Sequence, residues 1–178
     1  MKKFISLIAL IVLFNCNNKS LNEELDNLRS ENYELKKEVD KAIADSKRQI
    51  TTFLTFQNKD AEQAMNFYVS IFKNSKITEV RRHGKESPAP EGSILMARFE
   101  LNGSQYACSD SYIKHEWNFT PGVSNFVDCA SNEELESLFT KLSENGKVLM
   151  PLADYGFSKK FGFIEDQFGV SWQLNLDE

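Results

Sequence analysis

The sequence predicts an α+β fold, preceded by an export signal and a long helix. Three observations predict it. Strand-like runs rich in β-branched and aromatic residues alternate with two amphipathic helical segments. The same order of elements, strand-helix-strand-strand-strand, occurs twice between residues 50 and 177, as in an internal duplication. Before them, residues 20–48 lack Gly and Pro and carry apolar residues at heptad spacing.

Taken in order, Lys2 and Lys3 form a short positive start, and residues 4–14 are an apolar run. That run fits the core of a signal peptide and falls well short of the roughly 20 residues needed to span a bilayer. Leu13-Phe14-Asn15-Cys16 follows, then polar residues at once. This resembles a bacterial lipoprotein lipobox. Asn15 departs from the small residue usual before the cysteine. The resemblance implies a signal peptide over 1–15, a lipidated N-terminus over 16–19 with the acyl group on Cys16, and a protein anchored to the bacterial cell envelope on its periplasmic or extracellular face. Asn17 is not the aspartate that retains such proteins at the inner membrane, which favours the outer membrane where the cell has one.

Residues 20–48 read as a coiled-coil spacer. Leu21, Leu28, Leu35 and Ala42 take d positions, and Leu25, Asn32, Val39 and Ser46 take a. A single Asn in an a position favours a parallel two-stranded arrangement, so a homodimer is expected. A solvated single helix or a charged linker is the other reading of the same composition.

The domain at 49–178 begins with a strand at 50–56. Asp60 is expected to cap a helix whose buried face carries Ala61, Ala64, Met65, Tyr68 and Phe72. Strands follow at 77–82, 93–101 and 105–109, the last two joined through Asn102-Gly103, a two-residue hairpin signal. The second half starts with a strand at 123–129. Ser131 and Glu134 form a capping box for a helix lined by Leu135, Leu138, Phe139 and Leu142, and Asn145-Gly146 ends it. Strands at 148–152, 161–165 and 170–176 complete the chain.

The net charge of −5, without a cluster of Lys and Arg, argues against a nucleic-acid partner. Cys108 and Cys129 stand either as small strand residues or as a disulfide pair, and no C-x-x-C pair exists.

Several stretches carry a resemblance. They are Ala61-Glu62-Gln63-Ala64-Met65-Asn66-Phe67-Tyr68 with Ile71-Phe72, Phe99-Glu100-Leu101-Asn102-Gly103, Phe119-Thr120-Pro121-Gly122-Val123-Ser124, and Asp166-Gln167-Phe168-Gly169-Val170-Ser171-Trp172-Gln173. Together they resemble the PhnB-like branch of the vicinal oxygen chelate superfamily, which includes glyoxalase I, bleomycin-resistance proteins and extradiol dioxygenases. The resemblance implies two βαβββ modules forming a curved eight-stranded mixed sheet around one ligand cup. In catalytic members a divalent metal sits there, held from four strands. The matching positions fall at Thr51, near Ala107 in the window 106–109, near Gly122, and at Gln173. Only Gln173 could coordinate, as a neutral amide, so neither a metal nor another cofactor is expected and no catalytic residue is assigned. His83 and His115 fall in loops; His115-Glu116-Trp117 near the rim reads as a solvated loop or as an unconventional site. No glycine-rich strand-to-helix loop for a nucleotide-type cofactor is found.

The cup is expected to be lined by Thr51, Phe53, Tyr106, Ser124, Ser171 and Gln173, with Trp117, Phe119 and Tyr155 at its mouth. Such a cup suits a small, partly apolar ligand. The expected function is a membrane-tethered, non-catalytic small-molecule-binding domain. The alternatives are a metal-dependent lyase, isomerase or dioxygenase with an atypical ligand set, and a dimeric envelope interaction module.

Overall fold

The computed structural model describes residues 2–46 and 50–177. The chain forms two units that meet between Ile50 and Thr51. The first is a single helix, α1 (Lys2–Ser46). It runs through the segments read as signal peptide, lipidated N-terminus and spacer. Residues 47–49, which hold the expected spacer end, lie outside the described residues, as does the side chain of Cys16. Among the described residues, no helix is long and apolar enough to cross a membrane.

The second unit contains β1 (Thr52–Phe56), α2 (Ala61–Ile71), β2 (Lys76–Arg82), β3 (Ile94–Leu101), β4 (Ser104–Asp110), β5 (Asn125–Asp128), α3 (Asn132–Ser143), β6 (Lys147–Ala153), β7 (Lys160–Glu165) and β8 (Ser171–Leu176). The duplicated order is therefore present. The eight strands are hydrogen-bonded as two four-stranded mixed sheets, β1-β4-β3-β2 and β5-β8-β7-β6. In each, the first strand pairs parallel with the last and the remaining pairs are antiparallel.

Local chemistry accounts for the elements. Asn102 and Gly103 both adopt positive φ, 46° and 84°, as a two-residue type I′ turn requires, and join β3 to β4. Ser131 accepts the Glu134 backbone N–H (3.2 Å), and the Glu134 carboxylate accepts the Ala130 N–H (2.9 Å), so the capping box closes one residue upstream of the cap itself. Asn145 ends α3 with φ 57°. The next residue must be Gly146, because a Cβ there would run into the backbone of Glu165 and Asp166.

The start of α2 differs from expectation. Asp60 makes no side-chain cap. The Ala61 N–H is instead accepted by Asp110 Oδ1 at the end of β4 (3.0 Å), and Asp110 Oδ2 accepts the Ile94 N–H (2.8 Å). A buried carboxylate from a distant strand thus does the work of a local cap, and it ties α2, β3 and β4 together.

One core runs under both modules. Tyr68, Met65 and Ala64 of α2, Phe99 and Cys108 of the first sheet, Leu135 and Leu142 of α3, and Trp172 and Leu174 of β8 belong to it. Phe72 and Trp172 stack with centroids 5.1 Å apart, carrying the contact across the modules. On β7, Gly162 leaves room for the Phe139 ring and for Leu152, which a Cβ would meet at 2.6 and 2.8 Å.

Candidate functional site

The facing edges of the two modules form the site. Alternation along β1 sends Leu54 and Phe56 into the core and leaves Phe53 exposed. On β8, Trp172 and Leu174 pack in the core, while Ser171 and Gln173 share the opposite face. Before β5, the connection from Asn118 to Ser124 crosses between the modules, and Phe119 packs edge-on against Phe56, with centroids 5.2 Å apart. A cleft of about 250 Å³ results, lined by Thr52, Phe53 and Leu54 of β1, Asn118, Phe119, Thr120, Val123 and Ser124 of the connection, Asn125 of β5, and Val170 and Ser171.

Its walls are apolar with a set of neutral polar groups, and none of the lining side chains is ionisable. Their hydrogen bonds are fixed from behind. Gln173 Nε2 donates to Ser124 Oγ (2.6 Å), and Tyr106 OH donates to Asn125 Oδ1 (2.8 Å). Burial pushes the Tyr106 phenol above its ordinary value, which keeps it a donor. Asn125 Nδ2 in turn donates to the Ser171 carbonyl (3.4 Å). Ser171 Oγ is different. It is buried, and among the described residues it is the one buried side-chain N or O atom without a hydrogen-bond partner.

Of the cup residues expected from sequence, Phe53, Phe119, Ser124 and Ser171 meet in this cleft. Gln173 reaches it through Ser124. Tyr106 shares the register position of Thr52, and its ring stacks on Phe99 at 5.4 Å on the core side. It lines a separate, larger cavity of about 460 Å³ between α2, the β3–β4 hairpin, β5 and α3, and only its hydroxyl approaches the cleft, through Asn125. Thr51 precedes β1 and is not part of the lining. Trp117 stacks on His115 (4.3 Å) just outside it. Tyr155 stands apart, stacked on Phe157 at 6.0 Å, with its hydroxyl donating to the Pro151 carbonyl (2.9 Å). Thr52, Leu54, Asn118, Thr120, Val123, Asn125 and Val170 are further lining residues: Thr120, Val123 and Val170 lie within the motif stretches, Asn118 and Asn125 flank one of them, and Thr52 and Leu54 neighbour Phe53 on β1.

The rim histidine is structural. Gln57 Oε1 accepts the His115 N–H (2.7 Å), Gln57 Nε2 donates to the Trp117 carbonyl, and His115 Nε2 lies 3.0 Å from Ser111 Oγ. These bonds clasp the loop to the end of β1. The two head cysteines are both free and buried. Burial pushes the Cys108 thiol up to about 12 and the Cys129 thiol up to about 11, so neither is a nucleophile at neutral pH.

The residues do not fit a divalent metal. Phe53 stands beside Ala107 and Phe126 beside Gln173 in the strand registers, so three of these four side chains offer no donor atom. Among the described residues, no group of three His, Cys, Asp or Glu side chains could hold an ion. Nor do they fit a nucleotide-type methyl donor. The turn from β1 to α2 is Gln57-Asn58-Lys59-Asp60 and that from β5 to α3 is Cys129-Ala130-Ser131, both without glycine.

A family model described as 3-demethylubiquinone-9 3-methyltransferase matches residues 48–175. The chain belongs to this family. A 3-demethylubiquinone-9 3-methyltransferase-like PhnB protein from Bacillus cereus is 48% identical, with a TM-score of 0.70, over 72% of this chain and 99% of that one. Protein YjdN of Escherichia coli (strain K12) is 29% identical over 87 residues, 49% of this chain and 58% of that protein, so the chain spans under two thirds of that relative's length. FosX of Listeria monocytogenes, described as a genomically encoded fosfomycin resistance protein, shares the fold at 11% identity, with a TM-score of 0.52, over 73% of this chain and 93% of that one. The 3-demethylubiquinone-9 3-methyltransferase family match and the glyoxalase-like fold place the domain in the vicinal oxygen chelate superfamily. Fold membership does not by itself assign a methyl transfer or any other reaction.

Proposed function

We propose that the domain is a non-catalytic binding module for a small, neutral, partly apolar molecule, held at the bacterial cell envelope by lipid on Cys16. The observation that carries the reading is the lining of the cleft, apolar side chains with neutral polar groups and no ionisable one, with Ser171 Oγ buried without a partner in its wall. An unsatisfied buried hydroxyl costs roughly 1–3 kcal/mol, which a ligand whose binding opens the wall to it and offers a donor or acceptor offsets. Aromatic and aliphatic walls supply the apolar contact area. With no ionisable group in the lining, the cleft has no general acid or base, and a charged ligand finds no counter-charge there.

The tether rests on the residues themselves: the positive start, the apolar run over 4–14 and the lipobox-like Leu13-Phe14-Asn15-Cys16. Labelling of the expressed chain with a radioactive fatty acid tests it, with loss of label and release from membranes expected for Cys16→Ser. Retained label overturns the tether at that residue.

Binding is tested by thermal melts against a panel of neutral amides, phenols and lactones beside charged counterparts and divalent metals. A ligand that binds the native state raises the melting temperature by mass action. Stabilisation by a neutral compound that is weakened by Ser171→Ala is expected. Stabilisation by metals or charged compounds alone overturns the reading.

A further inference from the structure

We propose that residues 21–43 of α1 pair with the same residues of a second copy as a parallel, in-register, two-stranded coiled coil, their register set by charge. The inference stands on α1 alone, independently of the cleft.

The seam is open in the single chain. Leu21, Leu25, Leu28, Leu35 and Val39, the apolar a and d positions on either side of Asn32, are each 45–62% exposed. Five large apolar side chains aligned along one stripe of an isolated helix leave apolar area in water that a partner helix removes. Asn32, the polar a position, turns its Nδ2 back to the Leu28 carbonyl (3.0 Å), so its Oδ1 is left to accept from a partner.

The flanking charges choose the partner and its direction. With Leu21, Leu28 and Leu35 at d, the g positions are Glu24, Glu31, Glu38 and Asp45, all acidic. The e positions include Arg29 and Lys36. In a parallel homodimer each g residue faces the e residue five positions later on the other strand. Glu24 then faces Arg29 and Glu31 faces Lys36, twice each by symmetry, while Glu38 faces Ile43 and adds no ion pair. An antiparallel pair sets g against g and e against e, which brings carboxylates against carboxylates and Arg29 or Lys36 against like charge. One sequence thus attracts itself in one direction and repels itself in the other. The ion pairs inside the helix, Arg29 with Asp26 (3.2 Å) and Lys37 with Glu34 (3.6 Å), draw on b, c and f positions for their carboxylates and Lys37, and leave the g row uncommitted. The parallel direction also sets the two Cys16 residues at one end of the rod.

The test is oxidative cross-linking of the full-length chain, in membranes and after detergent extraction. Single variants Leu21→Cys and Leu35→Cys are compared with the unmodified chain, whose own cysteines set the background, and with Lys37→Cys on the outer f position. Facing d positions of a parallel pair fall within disulfide reach. Both d variants are expected to give several-fold more covalent dimer than the unmodified chain, and Lys37→Cys no more than it. Glu24→Lys with Glu31→Lys is expected to cut the Leu35→Cys dimer several-fold. Co-expression with a chain that carries Leu35→Cys together with Arg29→Glu and Lys36→Glu should restore it as a mixed dimer. Cross-linking at only one of the two d positions means an antiparallel or shifted pair and overturns the proposal. So does equal cross-linking at Lys37→Cys, or none at either d position.

Discussion

Tyr68 on α2 donates its hydroxyl to Asp166 Oδ2 at 2.7 Å, across 98 residues of sequence and from one module to the other. The same oxygen accepts Trp172 Nε1 (2.8 Å), and Oδ1 accepts the backbone N–H groups of Phe168 (2.8 Å) and Val170 (3.0 Å). One buried carboxylate thus closes the β7–β8 turn and fastens it to the first module. Tyr68→Phe removes one of these donors while keeping the ring. A hydrogen bond to a charged group contributes about 1.5–3 kcal/mol, and a loss of that size is expected in urea unfolding. A loss under about 0.5 kcal/mol would show that the phenol does not hold the modules together.

Asp166 also titrates in an unusual direction. Burial raises its carboxyl above the ordinary 3.8, against the pull of its hydrogen-bond donors. A carboxyl raised in the folded state binds a proton more readily there than in the unfolded chain. Its own contribution to stability therefore falls as pH rises from the ordinary value through the raised one. Glu134 and Glu136 run the other way: the Ala130 N–H lowers the first and Lys160 the second, so their stabilisation is lost on acidification. The difference between wild type and Asp166→Asn isolates the first effect. That difference is expected to shrink in urea melts as the pH rises above the ordinary carboxyl value. A difference that grows with pH would reverse the assignment.

Gly162 is required by a neighbour, not by its own backbone. Gly162→Ala would set a methyl group against the Phe139 ring and Leu152, and overpacking of this kind costs about 1–3 kcal/mol. Phe139→Leu should recover part of that loss in the same chain. A double-mutant cycle measures the recovery, and strict additivity would place the strain elsewhere.

Ser171→Ala is expected to raise stability by about 1 kcal/mol, because it removes a hydroxyl that is buried without a partner. The melting temperature of the unliganded chain should rise accordingly, by about 2–4 °C for a chain of this size. Loss of stability instead would mean that the hydroxyl is satisfied in solution.

The sequence made most of the fold readable because its signals are local. Asn102-Gly103 can hardly be anything but a tight hairpin, and Ser131 with Glu134 announces a helix start within four residues. The cap of α2 was misread for the complementary reason. Asp60 has the right identity in the right place, yet Asp110, which arrives only through the parallel pairing of β1 with β4, takes the Ala61 N–H. The cleft shows the same limit. Ser124 and Ser171 were visible on motif stretches, whereas Tyr106 was assigned to the wrong side of its strand, since a shift of one residue in register reverses every side chain. Asn125 carries no signal of its own; its place depends on Tyr106 and Ser171 together.

The parallel closure of each sheet has a consequence for how the chain is made. Thr52 pairs with Tyr106, and Asn125 with Trp172, so each first strand waits for its last. A nascent chain that stops short of β4 has α2 and a β2–β3 hairpin but no partner for β1, and its hydrophobic face stays open to chaperones. Each module therefore closes in a latching step of its own, the first when β4 reaches β1 and the second when β8 reaches β5.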